Sequence, residues 1–280
     1  MGRVDGKVAF ITGVARGQGR AHALRLAEEG ADIVGLDLCE DVPTIPIALA
    51  TSDDLEETRQ LIETVGRRAI LRKGDVRNPA DIEAVVQEGL STLGHIDAVV
   101  ANAGVAWFTP SWEITEEAWS TVIDINLTGA WRTAKAAIPS MIDAARGGSI
   151  MFTSSAAALG ANGYLAHYAA SKTALMGLCR EMALELGPYG IRVNTIHPTA
   201  VGTPMMDNET VARFFNPDGP ELSVNDQRLA TQDILRQSHL LPVGWIRPED
   251  VSNAVLFLAS DESCMVTGTP FRVDAGFGAR

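Results

Sequence analysis

The chain has 280 residues, 46% of them hydrophobic, and a formal net charge of −12 at pH 7. This acidic balance argues against nucleic acid, whose phosphates require basic patches, and against an anionic membrane surface. One large domain over residues 1–280 is expected, because chains of this length often fold without division.

The cysteines and the first residues bear on the compartment. Cys39, Cys179 and Cys264 are far apart and odd in number, which favours a reducing compartment over a disulfide framework. No cluster of histidine, cysteine and carboxylate residues has metal-ligand spacing, so no metal is expected. Residues 1–6 lack an apolar signal core, and we expect a cytoplasmic protein.

The first predicted elements are a strand, a glycine-rich loop and a helix. An apolar run at 8–11 precedes the loop, and apolar residues at helical spacing follow it. Glycines let the backbone approach a pyrophosphate, and the helix N-terminus offers that anion free N–H groups. We expect a dinucleotide to bind here, with a purely structural turn as the alternative. The loop residues concerned are Gly13, Ala15, Arg16, Gly17, Gln18 and Gly19.

A second apolar run, residues 33–36, ends at Asp37 and is followed by Leu38. A carboxylate at this strand end accepts hydrogen bonds from the adenosine ribose of NAD and repels the extra phosphate of NADP. Arg16 favours the opposite choice, because a basic residue in the glycine loop can pair with that phosphate. The carboxylate occupies the place where the phosphate would lie, so NAD is the predicted cofactor.

Residues 38–57 form a long connection, since a strand and the next helix are usually joined by about 2–6 residues. Pro43 and Pro46 interrupt any helix in this segment. Two interpretations stay open for the insertion. It covers the adenosine end of the cofactor, or it is a surface segment without a role.

Further strands are predicted at 69–71 and 96–101, alternating with helical patterns. The alternation indicates an α/β fold: a Rossmann-type, doubly wound parallel sheet of about seven strands with helices on both faces. Ligands bind at the carboxyl ends of such strands. Asp75, Asn102 and Gly104 lie at these ends, beside Gly13 and Asp37.

Three polar residues stand out in the next elements. A long helix predicted over 117–138 carries Asn126 among apolar neighbours, and a mid-helix asparagine usually bonds only backbone or solvent. A fifth strand, predicted at 149–153, ends in Ser154 and Ser155.

Tyr168 and Lys172 share one face of a helix predicted over 166–186, because residues four apart are neighbours on a helix. A cation within about 4–6 Å favours the phenolate and lowers the phenol pKa from its ordinary ~10. The pair is suited to taking a proton from an alcohol, since a general base works best with a pKa near the working pH. The alternative is a packed tyrosine beside a solvated lysine.

Beyond a sixth strand at 192–197, residues 204–245 show no regular pattern. We expect residues 203–245 to form a lid over an apolar substrate, with a satellite core as the alternative. A further helix is expected at 250–259 and a last strand at 267–273. The candidate substrate contacts are Trp107, Met205, Met206 and Trp245, because ligand pockets are mostly apolar.

Taken together, these motifs resemble those of the short-chain dehydrogenase/reductase family over nearly the whole chain. They are Thr12-Gly13-x-x-x-Gly17-x-Gly19, Asn102-Ala103-Gly104, Asn126, Ser155, Tyr168-x-x-x-Lys172 and the loop at Pro198, in family order and spacing. The resemblance implies an NAD-dependent oxidoreductase acting on a secondary alcohol or ketone. Its catalytic residues would be Asn126, Ser155, Tyr168 and Lys172.

The resemblance also implies individual roles. Ser155 bonds the substrate oxygen, Lys172 lowers the pKa of Tyr168 and binds the nicotinamide ribose, and Asn126 holds a water that links Lys172 to solvent. The residues implied around the cofactor are Asp75 and Val76 at the adenine, with Pro198, Val201 and Thr203 at the nicotinamide carboxamide and phosphates. The family usually has Pro-Gly where this chain has Pro198-Thr199, so the geometry of that loop is not implied by the resemblance.

A narrower resemblance concerns residues 39–57 and Ile196-His197-Pro198-Thr199, which are similar to the carveol-dehydrogenase-like subgroup associated with the redox carrier mycofactocin. It implies tightly held NAD under the insertion, an apolar, terpene-like alcohol such as carveol, an actinobacterial origin and, with the family, a homotetramer. Two alternatives stay open. One is an ordinary short-chain reductase of 3-oxoacyl or hydroxysteroid type with exchangeable cofactor, and the other is a catalytically silent NAD-binding scaffold.

Overall fold

A parallel sheet forms the centre of the molecule. The computed structural model describes residues 2–160, 163–215 and 224–279. In this part of the chain seven parallel strands form one sheet in the order β3-β2-β1-β4-β5-β6-β7. The strands are Val8–Thr12 (β1), Asp32–Asp37 (β2), Ala69–Lys73 (β3), Ala98–Ala101 (β4), Gly148–Thr153 (β5), Ile191–Pro198 (β6) and Pro270–Val273 (β7). The predicted doubly wound sheet is confirmed.

Helices cover both faces of the sheet because its strands are apolar on both sides, as parallel strands require. Phe10 and Val34 face a core shared with α3, α5 and α6, whereas Ile11 and Ile33 face a core shared with α1 and α9. The helices are Gly17–Glu28 (α1), Ser52–Thr64 (α2), Pro79–Leu93 (α3), Glu116–Ile123 (α4), Ala130–Ala144 (α5), Ala166–Leu186 (α6), Glu209–Phe215 (α7), Val224–Arg236 (α8) and Pro248–Ala259 (α9).

The strand order reverses between β1 and β4, which are neighbours although they are not consecutive. A crevice opens at the carboxyl ends of strands on either side of such a switch point. Asn102 ties three of these ends together. Its side-chain nitrogen donates to the carbonyls of Thr12 and Gly13 at 3.1 and 3.3 Å, and its oxygen accepts from the Thr153 hydroxyl at 3.3 Å. The crevice therefore has a rigid floor.

The prediction of one long helix over 117–138 is wrong in one respect. Residues 124–129 form a π-helical segment between α4 and α5, and α5 continues through Pro139 to Ala144. The π segment contains Asn126, whose side chain turns inward and pairs with both backbone groups of Val105. Such bulges recur at functional sites, where they re-aim a side chain.

The irregular structure expected for 204–245 is also corrected, because α7 and α8 occupy much of it. Residues 216–223 of the predicted lid lie outside the described residues. Asn208 accepts a hydrogen bond from the backbone N–H of Val211 at 3.0 Å, directly before Glu209 opens α7. Asparagine followed by an acidic first turn is a helix-start signal, and it was present in the sequence.

Candidate active site

Two cavities adjoin at the carboxyl edge of the sheet. One of about 260 Å³ contains Ser155, Tyr168 and Lys172, and the other of about 160 Å³ surrounds the glycine loop and Asp37. The two cavities are neighbours, because several residues line both: Gln18, Asn102, Gly104, Thr203 and Met205.

Lys172 is buried, with 3% of its surface exposed, and lies one helical turn beyond Tyr168 on α6. Its ammonium donates to the Thr153 carbonyl at 2.6 Å, at the end of β5, and lies 5.7 Å from the centre of the Tyr168 ring. Burial lowers the pKa of Lys172 to about 8, because removal from water disfavours the charged form.

The shift predicted for the Tyr168 pKa is wrong for the protein without cofactor. Burial of the phenol raises the pKa of Tyr168, and a hydrogen bond with Ser155 only partly opposes this rise. The reason is geometric. The Lys172 ammonium is bonded to the end of β5 and lies over the ring, so desolvation outweighs its attraction for a phenolate.

Ser155 is held by the short 3₁₀ turn that follows β5. Its hydroxyl oxygen accepts from the backbone N–H of Ala157 at 3.1 Å, which leaves the proton and another lone pair for Tyr168 and a substrate. Ser154 has a structural contact instead, because its hydroxyl donates to the Lys172 carbonyl at 2.8 Å.

His197 is a site residue that sequence reasoning missed. It is fully buried in β6, with its Nδ1 2.9 Å from the Ser155 carbonyl and its Nε2 2.7 Å from the Thr195 hydroxyl. A carbonyl only accepts, so Nδ1 carries the proton and donates to Ser155. In the sequence, His197 stood out as part of the stretch Ile196-His197-Pro198-Thr199, with no role attached to its side chain.

Asn126 lies next to Lys172 across Gly104. A methyl group on Gly104 would lie 3.2 Å from the Lys172 ammonium and 3.3 Å from the Asn126 side-chain oxygen, so glycine lets both approach the cleft. Asn126 is fully buried, bonds Val105 twice and donates to the Ser171 hydroxyl at 3.2 Å. Its water-holding role stays a prediction.

The glycine loop has room for a pyrophosphate. Gly13 and Gly17 have φ of +69° and +57°, and a methyl group on Gly19 would lie 1.8 Å from the Gly13 carbonyl oxygen. Arg16, before α1, makes no side-chain cap to the first turn, and the Gln18 side-chain oxygen is buried without a hydrogen-bond partner among the described residues. Unused N–H groups and an unpaired amide fit a polar, anionic cofactor.

Asp37 lies at the other end of the same cavity. It accepts from the backbone N–H groups of Ala15 at 2.9 Å and Cys39 at 3.4 Å, while burial raises its pKa. Arg16, the residue that favoured NADP, donates to the Ala48 carbonyl of the insertion. Its guanidinium is thereby engaged with the insertion, and the carboxylate stays available for a ribose.

The structure brings the predicted cofactor residues together with one exception. Ala15 lines neither cavity and acts by bonding Asp37. Pro198 and Val201 line the catalytic cavity. The second cavity is lined by Gly13, Arg16, Gly17, Gln18, Gly19, Asp37, Leu38, Asp75, Val76, Asn102, Ala103, Gly104 and Thr203. Insertion residues Ile47, Leu49 and Ala50 line it too.

Of the four predicted substrate contacts, Met205 and Met206 line the catalytic cavity, whereas Trp107 and Trp245 do not. Trp107 is buried against His167, with ring centres 4.7 Å apart and planes at 89°. Trp245 covers Gly202, where an added methyl would lie 3.0 Å from the indole nitrogen. Both indoles therefore pack against neighbouring residues outside the cavity.

Phenylalanines, and not these two indoles, line the catalytic cavity. Phe108 stacks on Phe214 with ring centres 4.2 Å apart and meets Phe215 edge-on at 5.4 Å. Phe277, from the C-terminal turn, lines the cavity as well. This aromatic cluster joins the loop after β4 to α7, a contact that only the fold reveals.

The Pro198-Thr199 loop is regular despite its departure from Pro-Gly. Thr199 has a backbone outside the left-handed region, so a side chain is accommodated there without strain.

Within the described ranges, no group of three or more histidine, cysteine or acidic residues is placed to hold a metal ion. In the same ranges, no helix is both long enough and apolar enough to span a bilayer.

Comparison with known proteins identifies the family. A family model described as enoyl-(acyl carrier protein) reductase matches residues 13–278. The (−)-trans-carveol dehydrogenase of Rhodococcus erythropolis is 47% identical, over 99% of this chain and 99% of its own. The crystal structure of carveol dehydrogenase from Mycobacterium avium in complex with NAD is 45% identical, with a TM-score of 0.96 and 100% of both chains covered. A short chain dehydrogenase from Mycobacterium paratuberculosis bound to NAD is 42% identical, with a TM-score of 0.87 over 100% of both chains. With motifs, fold and full-length relatives in agreement, the chain belongs to the short-chain dehydrogenase/reductase family.

Proposed function

We propose that this protein is an NAD-dependent dehydrogenase that interconverts a small apolar secondary alcohol and its ketone. One observation carries the proposal: Ser155, Tyr168 and the buried Lys172 line one cavity with apolar walls, next to the cavity of the glycine loop. Relatives described as acting on carveol and as binding NAD support the same reaction class.

Tyr168 performs the proton transfer. As phenolate it takes the proton of the substrate hydroxyl, while the Ser155 hydroxyl donates to the substrate oxygen as charge builds there. NAD, when bound, supplies the nicotinamide ring that accepts the hydride from the carbinol carbon. Lys172 provides the nearby positive charge that stabilises the phenolate, and it would bond the nicotinamide ribose when NAD is bound. In the reduction direction Tyr168 returns the proton to the carbonyl oxygen.

The cavity favours a small substrate. Its volume of about 260 Å³ is below the roughly 300–1,000 Å³ of typical pockets for drug-sized ligands. Phe108, Phe214 and Met206 supply apolar contact area in its wall. A terpene-like alcohol such as carveol meets both conditions, and we propose this class for the substrate.

We further propose that the insertion retains NAD in its cavity. A small redox carrier such as mycofactocin then reoxidises the NADH that forms there, without release of the nucleotide. The contact between the Arg16 guanidinium and the Ala48 carbonyl supports this proposal, because it fastens residues 38–57 across the glycine loop. The Asp41 carboxylate accepts from the backbone N–H of Leu49 at 2.7 Å and thereby stabilises the insertion internally.

We also propose a cytoplasmic homotetramer. Cys39, Cys179 and Cys264 are free thiols, which accords with a reducing compartment.

Replacing Tyr168 by phenylalanine removes the base. We expect single-turnover alcohol oxidation, followed by absorbance of the reduced nicotinamide, to slow by far more than tenfold, which is ~1.4 kcal/mol of barrier. The wild-type rate rises with pH, because burial raises the phenol pKa and the phenolate population grows with alkalinity.

The matched control is Tyr164→Phe, since Tyr164 is 51% exposed and its ring packs edge-on against Phe214. The control should keep both the rate and its pH dependence. Loss of less than tenfold in Tyr168→Phe would show that another group is the base.

Replacing Lys172 by methionine should abolish oxidation and yet stabilise the nucleotide-free protein at pH 7. The folded-state pKa of about 8 lies below the ordinary 10.5, so folding disfavours the bound proton and the charged lysine costs stability below pH 8. Each pKa unit is worth about 1.4 kcal/mol, and we expect a gain of about 2–3 kcal/mol after loss of the Thr153 hydrogen bond.

Urea unfolding at several pH values measures this effect. The advantage of the methionine variant should shrink between pH 8 and 10.5, as the unfolded wild-type chain also loses its proton. If the methionine variant is less stable than wild type at pH 7, then the charged Lys172 does not lower the stability of the fold, and the proposal that it is kept for function at a cost to stability is wrong.

Purification without added nucleotide tests NAD retention. The denatured protein should release close to one NAD per chain, detected by absorbance and mass. Arg16→Ala should lower this content and speed exchange, whereas Arg25→Ala should not, because Arg25 pairs with Glu28 and Glu29 at the C-terminal end of α1.

An empty wild-type protein that turns over only with free NAD would instead support the ordinary reductase with exchangeable cofactor. NAD binding without oxidation of any alcohol in a broad panel would support the silent scaffold. Multiple turnovers with an artificial electron acceptor and no free NAD would support recycling in place.

Sedimentation velocity tests the assembly. Trp119 on α4 and Trp131 on α5 are 40% and 41% exposed, and Leu184 on α6 is 76% exposed. Large apolar side chains on adjacent helices are typical of subunit contacts. We expect a tetramer that Trp131→Glu dissociates, and a wild-type monomer at micromolar concentration would contradict this expectation.

A further inference from the structure

Three polar residues of the catalytic cavity have no part in the proton transfer or the glycine loop described above. They are Thr199, directly after β6, and Ser238 and His239, beyond α8. Their neighbours in the wall, Leu235 and Phe277, are apolar. Polar groups in an otherwise apolar pocket orient a ligand, so this cluster requires a chemical explanation.

His239 determines the hydrogen-bonding direction in the cluster. It is 3% exposed, and its Nδ1 lies 2.7 Å from the carbonyl oxygen of Val243. A carbonyl accepts only, so Nδ1 carries the hydrogen and, in the neutral ring, Nε2 accepts. The group 2.7 Å from Nε2 is the Thr199 hydroxyl, which therefore donates its hydrogen to His239.

Thr199 is left with acceptor capacity alone. A hydroxyl has one hydrogen and two lone pairs, and its hydrogen is committed to the histidine. The residue is half-buried and lines the cavity. A ligand group that satisfies this oxygen must be a donor, such as a hydroxyl. A ketone or an ether at the same place would leave two acceptors facing each other.

We propose that Thr199, oriented by His239, is a second substrate anchor that accepts a hydrogen bond from a hydroxyl remote from the reacting carbinol. The inference rests on the proposed function, because it takes the carbinol to bind at Ser155 and Tyr168. Within the proposed class, the preferred substrate is then a small alicyclic molecule with two hydroxyl groups, or with one hydroxyl and the ketone that the reaction interconverts, and a mono-alcohol such as carveol leaves this anchor unused. Ser238 provides a further hydroxyl in the same part of the wall.

Ligand binding tests the anchor without turnover. The nucleotide held by the full chain is first reduced to NADH, so that alcohols bind and are not oxidised, and dissociation constants are measured by ligand-observed NMR. The probes are cyclohexane-1,3-diol and cyclohexane-1,4-diol, each compared with the methoxycyclohexanol of the same geometry. The methyl ether keeps the ring, the carbinol and the second oxygen, and it replaces the hydrogen of the second hydroxyl by a methyl group.

Wild type should bind at least one diol about fivefold more tightly than its methyl ether, within the roughly two- to twelvefold that one neutral hydrogen bond supplies. Thr199→Val should reduce this ratio below twofold, and Thr199→Ser should restore it. His239→Phe frees the Thr199 hydrogen for donation, so the methyl ethers should gain affinity and the ratio should fall. This second variant provides a test that does not depend on the folding of Thr199→Val.

Equal affinity of wild type for every diol and its ether would overturn the anchor, as would a ratio unchanged in both Thr199→Val and His239→Phe. Oxidation with NAD is measured separately. Diol preference without oxidation of any alcohol would overturn the proposed function and leave the anchor supported. Oxidation of cyclohexanol without diol preference would overturn the anchor alone.

Discussion

The buried ammonium of Lys172 is the constraint on which the site depends. Its hydrogen bond to the Thr153 carbonyl joins α6 to the end of β5 and thereby places Tyr168 over the carboxyl edge of the sheet. A lysine with a pKa near 8 is charged at neutral pH at a cost to folding. A positive charge beside a phenol favours the phenolate, and the proposed use of Tyr168 as a base accounts for such a cost.

The sheet provides rigidity around that charge. Asn102 bonds the ends of β1 and β5, and the π-helical turn directs Asn126 inward against Val105. Gly104 leaves space for both Lys172 and Asn126. Catalytic groups held by backbone bonds at three strand ends keep their geometry without help from a flexible loop. Only protons and ligands then have to move during the reaction.

Two segments outside the central sheet complete the walls of the two cavities. The insertion after β2 lines the nucleotide cavity with Ile47 and Leu49, and α7 completes the aromatic wall of the catalytic cavity with Phe214. Both segments contribute apolar side chains to the cavity walls, whereas the polar groups proposed for the reaction lie at the strand ends.

The sequence alone determined the strands and most of the helices, the glycine loop, Asp37 and the Tyr168–Lys172 pair, because these follow from local periodicity, glycine placement and helical spacing. It did not predict the π-helical segment or the helices α7 and α8. It did not determine the side chains of the cavity wall. Trp107 and Trp245 pack elsewhere while Phe108 and Phe214 meet across α7, and such contacts depend on how distant segments pack. The direction of the Tyr168 pKa shift was likewise decided by tertiary structure, since desolvation is a property of the whole surroundings and helical spacing reports only the nearest charge.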